Sequence, residues 1–318
     1  MARKKGRRRR RKLWGQQTVE YLGVLLGIFI IRAAPMWLGR FVARRVGDGF
    51  YYFFSRRRAV ARKNLAIAFP DLTDEKEIRR IIHRACQSLM LTVFEMVKLR
   101  SLFDRPDVAD ILAREVPGFL EKARHMKRLH AETGGFIIVL PHLGNWEILL
   151  HVADVVGIPN VIVVRPLDNA RMERLLYRYR TDSQQEFVPK HNVFYTLKNA
   201  LRRRKCVAVL GDQRAGRRGI MAPFFGRPVS THRAPAMLAY QFNRPIVVLA
   251  ACRTEKGFEG LLSEPIEPRS DAPEEREILR LTTAVNEQMA EFIRRHPDQY
   301  LWAHDRWKSA SDNASPPE

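Results

Sequence analysis

GGFIIVLPH, residues 134–142, is the first of four apolar runs that decide the fold of this sequence; the others are NVIVVRP (160–166), CVAVLGD (206–212) and PIVVLAACR (245–253). Each run is short and rich in β-branched residues, and amphipathic stretches separate the runs. Parallel strands buried on both faces of a sheet have this continuous apolar pattern, with helices as crossovers between them. The sequence therefore predicts an α/β fold with a mixed, largely parallel sheet flanked by helices.

Helices are predicted on both sides of this region. Thr73 and Asp74 can cap a helix with Glu75 and Glu77 in its first turn, and its apolar residues follow at helical spacing: Ile78, Ile81, Ile82, Ala85, Leu89, Val93 and Met96. We interpret this segment as a packing helix of a helical N-terminal subdomain. A second long helix is predicted over 274–296, and ASDNASPPE (310–318) is typical of a flexible tail.

Composition excludes several classes of protein. The 318 residues are 46% hydrophobic, which is enough for a sizeable core and excludes extended disorder. The three cysteines, Cys86, Cys206 and Cys252, have no metal-type spacing and are odd in number, so we expect neither a disulfide framework nor a metal site. Cys206 lies inside an apolar run, where a buried side chain is a better interpretation than a nucleophile.

The net charge of +22 predicts an anionic partner, and its distribution indicates which one. Residues 1–12 hold nine Lys and Arg and no acid; Trp14, Tyr21 and the apolar run Val24–Ile31 follow, and a second basic cluster comes after them. Aromatic and apolar residues between basic clusters favour anionic membrane lipid over nucleic acid. We predict a basic tail at 1–12 and a membrane-associated region at 13–50.

Whether this region crosses the membrane stays open at this stage. Val19–Ile31 is only thirteen residues long and contains Glu20, whereas a spanning helix needs roughly 20 apolar residues. A single transmembrane helix and a helix lying in the interface are both compatible with the pattern. The segment lacks the small-residue cleavage site of a secretory signal.

Polar residues follow the predicted strands, where the active sites of open α/β sheets lie. His142 follows the first run, Arg165 the second, and Asp212 and Arg214 the third. If His142 ends a strand and Glu147 begins the next helix, with Gly144 allowing the bend, the carboxylate can accept from one ring nitrogen. The other nitrogen is then free to take a proton from a hydroxyl. The spacing alone is not evidence, because about one such pair is expected by chance.

Several segments together carry a family resemblance. PHLGNWE (141–147) resembles the His-x-x-x-x-Asp/Glu motif of glycerolipid acyltransferases, and three flanking segments resemble the bacterial lipid A acyltransferases of the lauroyl/myristoyl family: RRRAVARKNLAIAFPDLT (56–73), APFFGRPVST (222–231) and HPDQYLWAHDRWK (296–308). They occur in the family's order and cover most of residues 56–308. The chain is identified as a member of this family, with an acyltransferase domain at 51–308 (helical part 51–133, α/β core 134–268, C-terminal helix 269–308) and a flexible tail at 309–318.

The resemblance implies that His142 is the general base and Glu147 its carboxylate partner. It implies that Arg165 helps to hold a substrate. Asp212 and Arg214 are less secure, because glycerol phosphate acyltransferases have Pro-Glu-Gly-Thr-Arg where this chain has Leu-Gly-Asp-Gln-Arg. Asp212 is either a ligand of the acceptor or a structural carboxylate that holds an arginine.

Acyl transfer from a thioester to a lipid hydroxyl also requires stabilisation of an oxyanion. We expect the backbone N–H groups that open the helix after Gly144, together with Asn145, to provide it. No cofactor is required. The expected partners are acyl carrier protein or acyl-coenzyme A as donor, a glycolipid acceptor and anionic membrane lipid, with no nucleic acid.

The expected location is the bacterial inner membrane, with the catalytic domain on the cytoplasmic side, where thioester donors are found. A lipid A precursor is the expected acceptor; the alternatives are a phosphatidylinositol mannoside, an aminolipid, or a catalytically idle lipid-binding role. The cluster Arg202–Lys205 and the loop with Arg214, Arg217 and Arg218 are docking charges for the donor or solvated basic residues. Phe224 and Phe225 either line an acyl slot or fill the core. The sequence leaves the acyl chain length and the oligomeric state open.

Overall fold

The computed structural model describes residues 14–164, 169–178, 185–189 and 193–308. The predicted basic tail and the predicted C-terminal tail lie outside these residues. The helices are α1 (Trp14–Ala33), α2 (Met36–Phe53), α3 (Ser55–Ala68), α4 (Glu75–Lys98), α5 (Arg100–Phe103), α6 (Val108–Glu115), α7 (Pro117–Thr133), α8 (Ile148–Val155), α9 (Ala170–Arg178), α10 (Phe194–Arg202), α11 (Ala234–Phe242) and α12 (Glu274–Arg295). Two short 3₁₀ helices lie at Gly216–Arg218 and Pro297–Gln299.

The strands are β1 (Ile137–Leu140), β2 (Asn160–Val164), β3 (Glu186–Pro189), β4 (Cys206–Leu210), β5 (Ile220–Phe224), β6 (Arg227–Thr231), β7 (Ile246–Thr254) and β8 (Gly257–Leu262). The main sheet has the order β3-β2-β4-β1-β7-β8 in the part of the chain that is described. Its strands are parallel except for the β7–β8 pair, and β5 and β6 form a separate antiparallel hairpin. The predicted α/β fold with a mixed, largely parallel sheet is confirmed.

The sheet is buried on both faces, as its apolar runs predict. Side chains alternate along β1, so Ile137 and Val139 join one core cluster while Ile138 and Leu140 join the other. The first cluster includes residues of α3, α4, α10, α11 and α12, and the second includes residues of α6, α7 and α8. Two helical layers thus enclose the strands and leave their ends to form the site.

The packing helix and the final helix are where the sequence predicts them. Asp74 caps α4 by accepting a hydrogen bond from the Lys76 backbone N–H at 2.9 Å, and Ile78, Ile81, Ile82 and Ala85 are buried. α12 covers Glu274–Arg295. One residue of the predicted apolar face differs, because Val93 is 48% exposed. Beyond Ala85 the buried face of α4 turns towards Ser88, Thr92 and Glu95.

Helices α1 and α2 replace the single membrane-associated segment of the prediction. Pro35 separates them, as expected of a residue that lacks a backbone N–H and disfavours helical backbone before it. None of the helices in the described ranges combines the length and the apolar character needed to cross a membrane. The predicted alternative of a transmembrane helix is therefore not supported; the 20 residues of α1 include Glu20 and Arg32.

Helix α2 packs closely on α4 through a stripe of small residues. Gly39, Ala43 and Gly47 are its buried residues, one turn apart. A Cβ atom on Gly39 would lie 2.2 Å from the Phe94 ring, and one on Gly47 would lie 2.5 Å from the Cα atom of Gln87. The missing side chains therefore allow the two helices to approach, and the larger residues of α2 face outwards.

Candidate active site

The site is built at the carboxyl ends of β1 and β4, which are neighbours in the sheet. His142 lies two residues after β1, and Asp212 lies two residues after β4. Leu140 and Leu210 are in register across this pair, so the two polar side chains that follow are brought to the same place. Both are largely shielded from solvent, with side-chain exposures of 12% for His142 and 3% for Asp212.

Asp212 binds His142 twice. Its Oδ1 lies 2.6 Å from Nδ1 of the ring, and its Oδ2 accepts a hydrogen bond from the His142 backbone N–H at 2.9 Å. A carboxylate at this distance requires a proton on Nδ1. In the neutral ring Nε2 is then the proton acceptor, which is the form that a general base needs.

The carboxylate at Nδ1 of His142 is that of Asp212. Glu147 is predicted to accept from a ring nitrogen, and that role stays a prediction. Glu147 lies directly before α8, as predicted, and it acts on His142 through its charge. Asp212 was predicted to hold an arginine or the acceptor, and its described contact is with the histidine instead.

The two carboxylates determine the protonation of His142. Burial lowers the pKa of His142, but the charge of Asp212, its hydrogen bond and the charge of Glu147 together raise the pKa above its ordinary value of 6.5. Burial likewise raises the pKa of Asp212, but His142 and the charge of Arg306 lower it overall. The pair is thus arranged to stabilise an imidazolium beside an ionised aspartate.

A C-terminal segment, residues 296–308, forms the rear wall of the site. The Leu301 backbone N–H donates to the His142 carbonyl at 3.1 Å, and the Gly144 N–H donates to the Gln299 carbonyl at 3.1 Å. Tyr300 is buried, and its burial together with the charge of Asp212 raises the pKa of its hydroxyl well above 10. The Tyr300 hydroxyl therefore stays protonated beside the site.

Arg306 fixes the chain on the other side of Asp212. It is 1% exposed and donates to the Gln213 carbonyl at 2.9 Å and to the Ser230 carbonyl at 2.8 Å. Its other terminal nitrogen donates to the Thr231 hydroxyl at 2.8 Å. This side chain ties the loop after β4 to the β5–β6 hairpin, and its charge favours ionised Asp212.

Arg214, another predicted site residue in the loop after β4, is held by the C-terminal segment 296–308. The Arg214 backbone N–H donates to His304 Nε2 at 3.2 Å, and its guanidinium donates to the Lys308 carbonyl at 2.8 Å. Arg165, predicted to bind a substrate, lies outside the described residues.

The turn between His142 and α8 is tightly bonded. Gly144 has φ +62°, and a Cβ atom there would lie 2.0 Å from the Ala251 carbonyl oxygen, so the predicted bend requires glycine. The Thr92 hydroxyl donates to the Gly144 carbonyl at 2.8 Å. Asn145 is buried, and its Nδ2 donates to Glu95 at 2.9 Å.

Most of the donors predicted for an oxyanion at this turn already have partners. The backbone N–H of Gly144 bonds to Gln299 and that of Asn145 to the Ala251 carbonyl at 2.7 Å. The N–H groups of Glu147 and Ile148 both donate to Asn145 Oδ1 at 3.2 Å. Asn145, predicted to contact substrate, thus uses its side-chain oxygen to bind the N–H groups that lead into α8.

A buried ion pair lies beneath this turn and was not predicted. Arg253, at the end of β7, donates from Nε and a terminal nitrogen to Glu95 at 2.7–3.1 Å. The same guanidinium donates to the Ser88 and Thr92 hydroxyls at 2.9 and 2.7 Å. Glu95 thus bridges Arg253 and Asn145 and links α4 to the catalytic turn. A carboxylate in the middle of the predicted apolar helix is the signal in the sequence that points to it.

Two clusters of predicted docking charges lie in different places. Arg202 ends α10, and the rest of the cluster leads into the start of β4, so it lies about 20 Å from Asp212 at about 3.3 Å per residue along the strand. Arg217 and Arg218 lie in the loop after Gln213 and are exposed. Of the two clusters, only this loop adjoins His142.

The aromatic and sulfur side chains behave as core residues. Phe224 is 1% exposed and stacks on Trp307 with ring centroids 5.4 Å apart, which favours the core-filling alternative for this residue. Burial raises the pKa of Cys206 to about 12, so its thiol is not a nucleophile at neutral pH. Among the described residues, no cluster of three or more His, Cys, Asp or Glu could bind a metal ion.

Comparison with known proteins shows which family the chain resembles. The sequence model of a family described as bacterial lipid A biosynthesis acyltransferase matches residues 5–309. The chain is 25% identical over 293 residues to a lipid A biosynthesis acyltransferase of Haemophilus influenzae, covering 86% of this chain and 87% of that protein. It is 25% identical over 281 residues to a lipid A biosynthesis palmitoleoyltransferase of Escherichia coli, covering 85% and 84%. A phosphatidylinositol mannoside acyltransferase of Mycobacterium tuberculosis is 23% identical over 202 residues, with 62% of each chain covered.

Proposed function

Because the chain belongs to the bacterial lipid A biosynthesis acyltransferase family, we propose that it transfers a fatty acyl chain from a thioester donor to a hydroxyl group of a lipid A precursor. The relatives named for lipid A cover more of the chain than the relative named for a phosphatidylinositol mannoside. This difference favours lipid A over the mannoside as acceptor. The donor is acyl carrier protein or coenzyme A carrying the acyl group as a thioester.

The observation that carries the proposal is the bond between His142 Nδ1 and Asp212 Oδ1. His142 Nε2 takes the proton of the acceptor hydroxyl as its oxygen attacks the thioester carbonyl carbon. The tetrahedral intermediate collapses, the C–S bond breaks, and the departing thiolate recovers the proton from His142. An ester and a free thiol result, with no covalent acyl-enzyme.

The basic loop beside the site is the proposed docking place for the donor. Arg217 and Arg218 lie four and five residues after Gln213 and are exposed. Acyl carrier protein is acidic and coenzyme A carries phosphates, so both donors match this charge.

We propose that the outer surface of α1 and α2 contacts anionic lipid on the cytoplasmic side of the inner membrane. Large apolar side chains are exposed there, with Trp37 at 71% and Phe53 at 85%. Arg40, Arg44 and Arg45 are exposed between them, and the basic residues of 1–12 precede α1 in the sequence. Apolar side chains mixed with arginines favour helices that lie in the headgroup region.

Purified full-length protein tests the reaction. Lipid A precursor is mixed with acyl carrier protein thioester in one arm and with acyl-coenzyme A in the other, and mass spectrometry follows the gain of one acyl chain. His142→Ala should abolish transfer while the variant still folds, at a lower melting midpoint because buried Asp212 loses a hydrogen-bond partner. His125→Ala, an exposed histidine on α7, is the matched control and should retain it. Undiminished transfer by His142→Ala would refute the mechanism, and no transfer by the wild type to lipid A would refute the acceptor.

Substitutions test the lipid surface better than a truncation at residue 45, which would cut α2 between buried Ala43 and Gly47. The triple variant Trp37→Ser, Phe41→Ser, Phe53→Ser should bind phosphatidylglycerol-containing vesicles much more weakly at an unchanged melting midpoint. Tyr195→Ser, 70% exposed on α10, is the control. Equal vesicle binding by the triple variant and the wild type would exclude this surface.

A further inference from the structure

The proposed acyl transfer needs donors for the oxyanion, and the fold has used most of the expected ones elsewhere. The backbone N–H groups of Gly144, Asn145, Glu147 and Ile148 and the side-chain amide of Asn145 all have protein acceptors. Redirecting the Gly144 or Asn145 N–H to a substrate would take a donor from the Gln299 or Ala251 carbonyl, which is costly. Among the described contacts, the Trp146 backbone N–H is the one donor of this turn without a protein acceptor, so we look for a further donor beside His142 Nε2.

Gln213 lies on the open side of the catalytic ring. Its Nε2 atom is 3.4 Å from His142 Nε2, the nitrogen that takes the proton. Its backbone is fixed from both sides, because Asp212 before it is bound to His142 and its own carbonyl accepts from Arg306. The side chain is half-buried, so it meets the space that a substrate must enter.

The tautomer of His142 fixes which end of the Gln213 amide faces this space. Nδ1 carries its proton towards Asp212, so Nε2 presents a lone pair. An amide NH₂ group can donate to that lone pair, whereas an amide oxygen would place a second acceptor opposite it. The contact at 3.4 Å is long and weak, and an arriving substrate can therefore take over the N–H donor.

We propose that the side-chain amide of Gln213 donates a hydrogen bond to the oxyanion of the tetrahedral intermediate, an assignment that rests on the proposed acyltransfer. The attacking oxygen must lie within hydrogen-bond distance of His142 Nε2, and the thioester carbonyl is then one covalent bond further on. A donor beside Nε2 is within reach of that carbonyl oxygen. As the hydroxyl attacks, the C=O electron pair moves onto oxygen and the N–H of Gln213 stabilises it; the pair returns when the C–S bond breaks.

Three variants test the assignment in the full chain. Gln213→Ala removes the donor, and kcat should fall about 10²–10³-fold while KM changes little, since the bond is made in the transition state. Gln213→Glu keeps the shape but places a carboxylate beside Nε2, so kcat should fall at least as far. Gln241→Ala, an exposed glutamine on α11, should leave kcat unchanged.

The pH profile separates catalysis from a structural role. A carboxylate beside Nε2 raises the pKa of His142, so the rising limb of activity should move to higher pH in Gln213→Glu and stay in place in Gln213→Ala. If the alanine variant unfolds, the isosteric glutamate variant carries the test. A kcat of Gln213→Ala within about threefold of the wild type would overturn the assignment, because the loss expected for an oxyanion donor is much larger. Failure of the proposed function would give a different result: the wild type would not transfer an acyl chain, or His142→Ala would transfer it undiminished.

Discussion

The side-chain amide of Asn64 donates to the main-chain carbonyl of Trp302 at 2.8 Å, across 238 residues of sequence. The same nitrogen donates to the His304 carbonyl at 2.6 Å. Asn64 lies in RRRAVARKNLAIAFPDLT and its two acceptors lie in HPDQYLWAHDRWK, so two of the segments that carry the family resemblance are bonded to each other. Phe69 of the first segment also packs against Trp302 and Phe225, with ring centroids about 6 Å apart.

Asn64→Ala should destabilise the protein and weaken the rear wall of the site. It leaves the Trp302 carbonyl without its donor, at about 1–3 kcal/mol if that carbonyl remains buried, whereas the His304 carbonyl still accepts from the Arg306 backbone N–H. Asn199→Ala on α10, whose side chain accepts only from Arg202 among the described contacts, should stay within about 0.5 kcal/mol of the wild type. Denaturant unfolding of both variants measures the difference, and equal stabilities would contradict the structural role of Asn64.

Asp212→Asn should lower kcat by about 10²–10⁴-fold, because the amide cannot stabilise the imidazolium by charge. It should also lower the pKa of His142, since the charge that raises this pKa is removed. Activity requires neutral His142 and therefore rises with pH through that pKa, so the rising limb should move to lower pH.

Glu147→Gln should move the same limb in the same direction but less far, because Glu147 acts on His142 through charge without a hydrogen bond to it. Its kcat should fall less than that of Asp212→Asn. Profiles of kcat against pH measure both shifts. A larger loss in Glu147→Gln than in Asp212→Asn would restore Glu147 as the main partner of the base.

Two glycines of α2 provide a matched pair. Gly47→Ala places a methyl group 2.5 Å from the Gln87 backbone, so it should destabilise the protein by about 1–3 kcal/mol. Gly49→Ala meets the Phe53 ring at 3.8 Å, an ordinary contact, and should be neutral or stabilise by up to about 1 kcal/mol through helix propensity. Thermal unfolding compares them; a stable Gly47→Ala would show that α2 does not pack on α4 as described.

The buried and exposed ion pairs should respond very differently to loss of their arginine. Arg253→Met leaves Glu95 buried without its cation, which should cost about 3–5 kcal/mol. Arg295→Met breaks an exposed pair with Glu259 and should cost about 1 kcal/mol or less. Urea unfolding of the two variants measures the difference in stability. Comparable midpoints would contradict a buried network beneath the catalytic turn.

The sequence predicts the strands well because parallel strands buried on both faces consist almost entirely of apolar residues, as in Ile137–Leu140 and Cys206–Leu210. It does not predict that Asp212 binds His142. The two residues are 70 positions apart, and their contact depends on β4 lying beside β1, an order that the succession of apolar runs does not contain. The family resemblance implies Glu147 as the partner, because the His-x-x-x-x-Asp/Glu motif contains only residues that are close together in the sequence.

Polar networks were missed for a related reason. Helical spacing places Val93 on the apolar face of α4, but the ion pair of Glu95 with Arg253 and the packing of α2 turn the buried face in another direction. Neither contact has a local signature, since Arg253 lies on a strand 158 residues away. The bend at Gly144 was predictable because a positive φ beside the Ala251 carbonyl admits glycine alone.

The hydrogen bonds that join His142 and Gly144 to Leu301 and Gln299 also determine when the site can form during synthesis of the chain. A growing chain releases α1 and α2 first and the catalytic turn later, but that turn has no rear wall until residues 299–308 have left the ribosome. During this interval the helices proposed to face lipid are already synthesised, while the segment that binds His142 and Gly144 from behind is not. If these helices contact lipid as proposed, that contact can form before the site is complete.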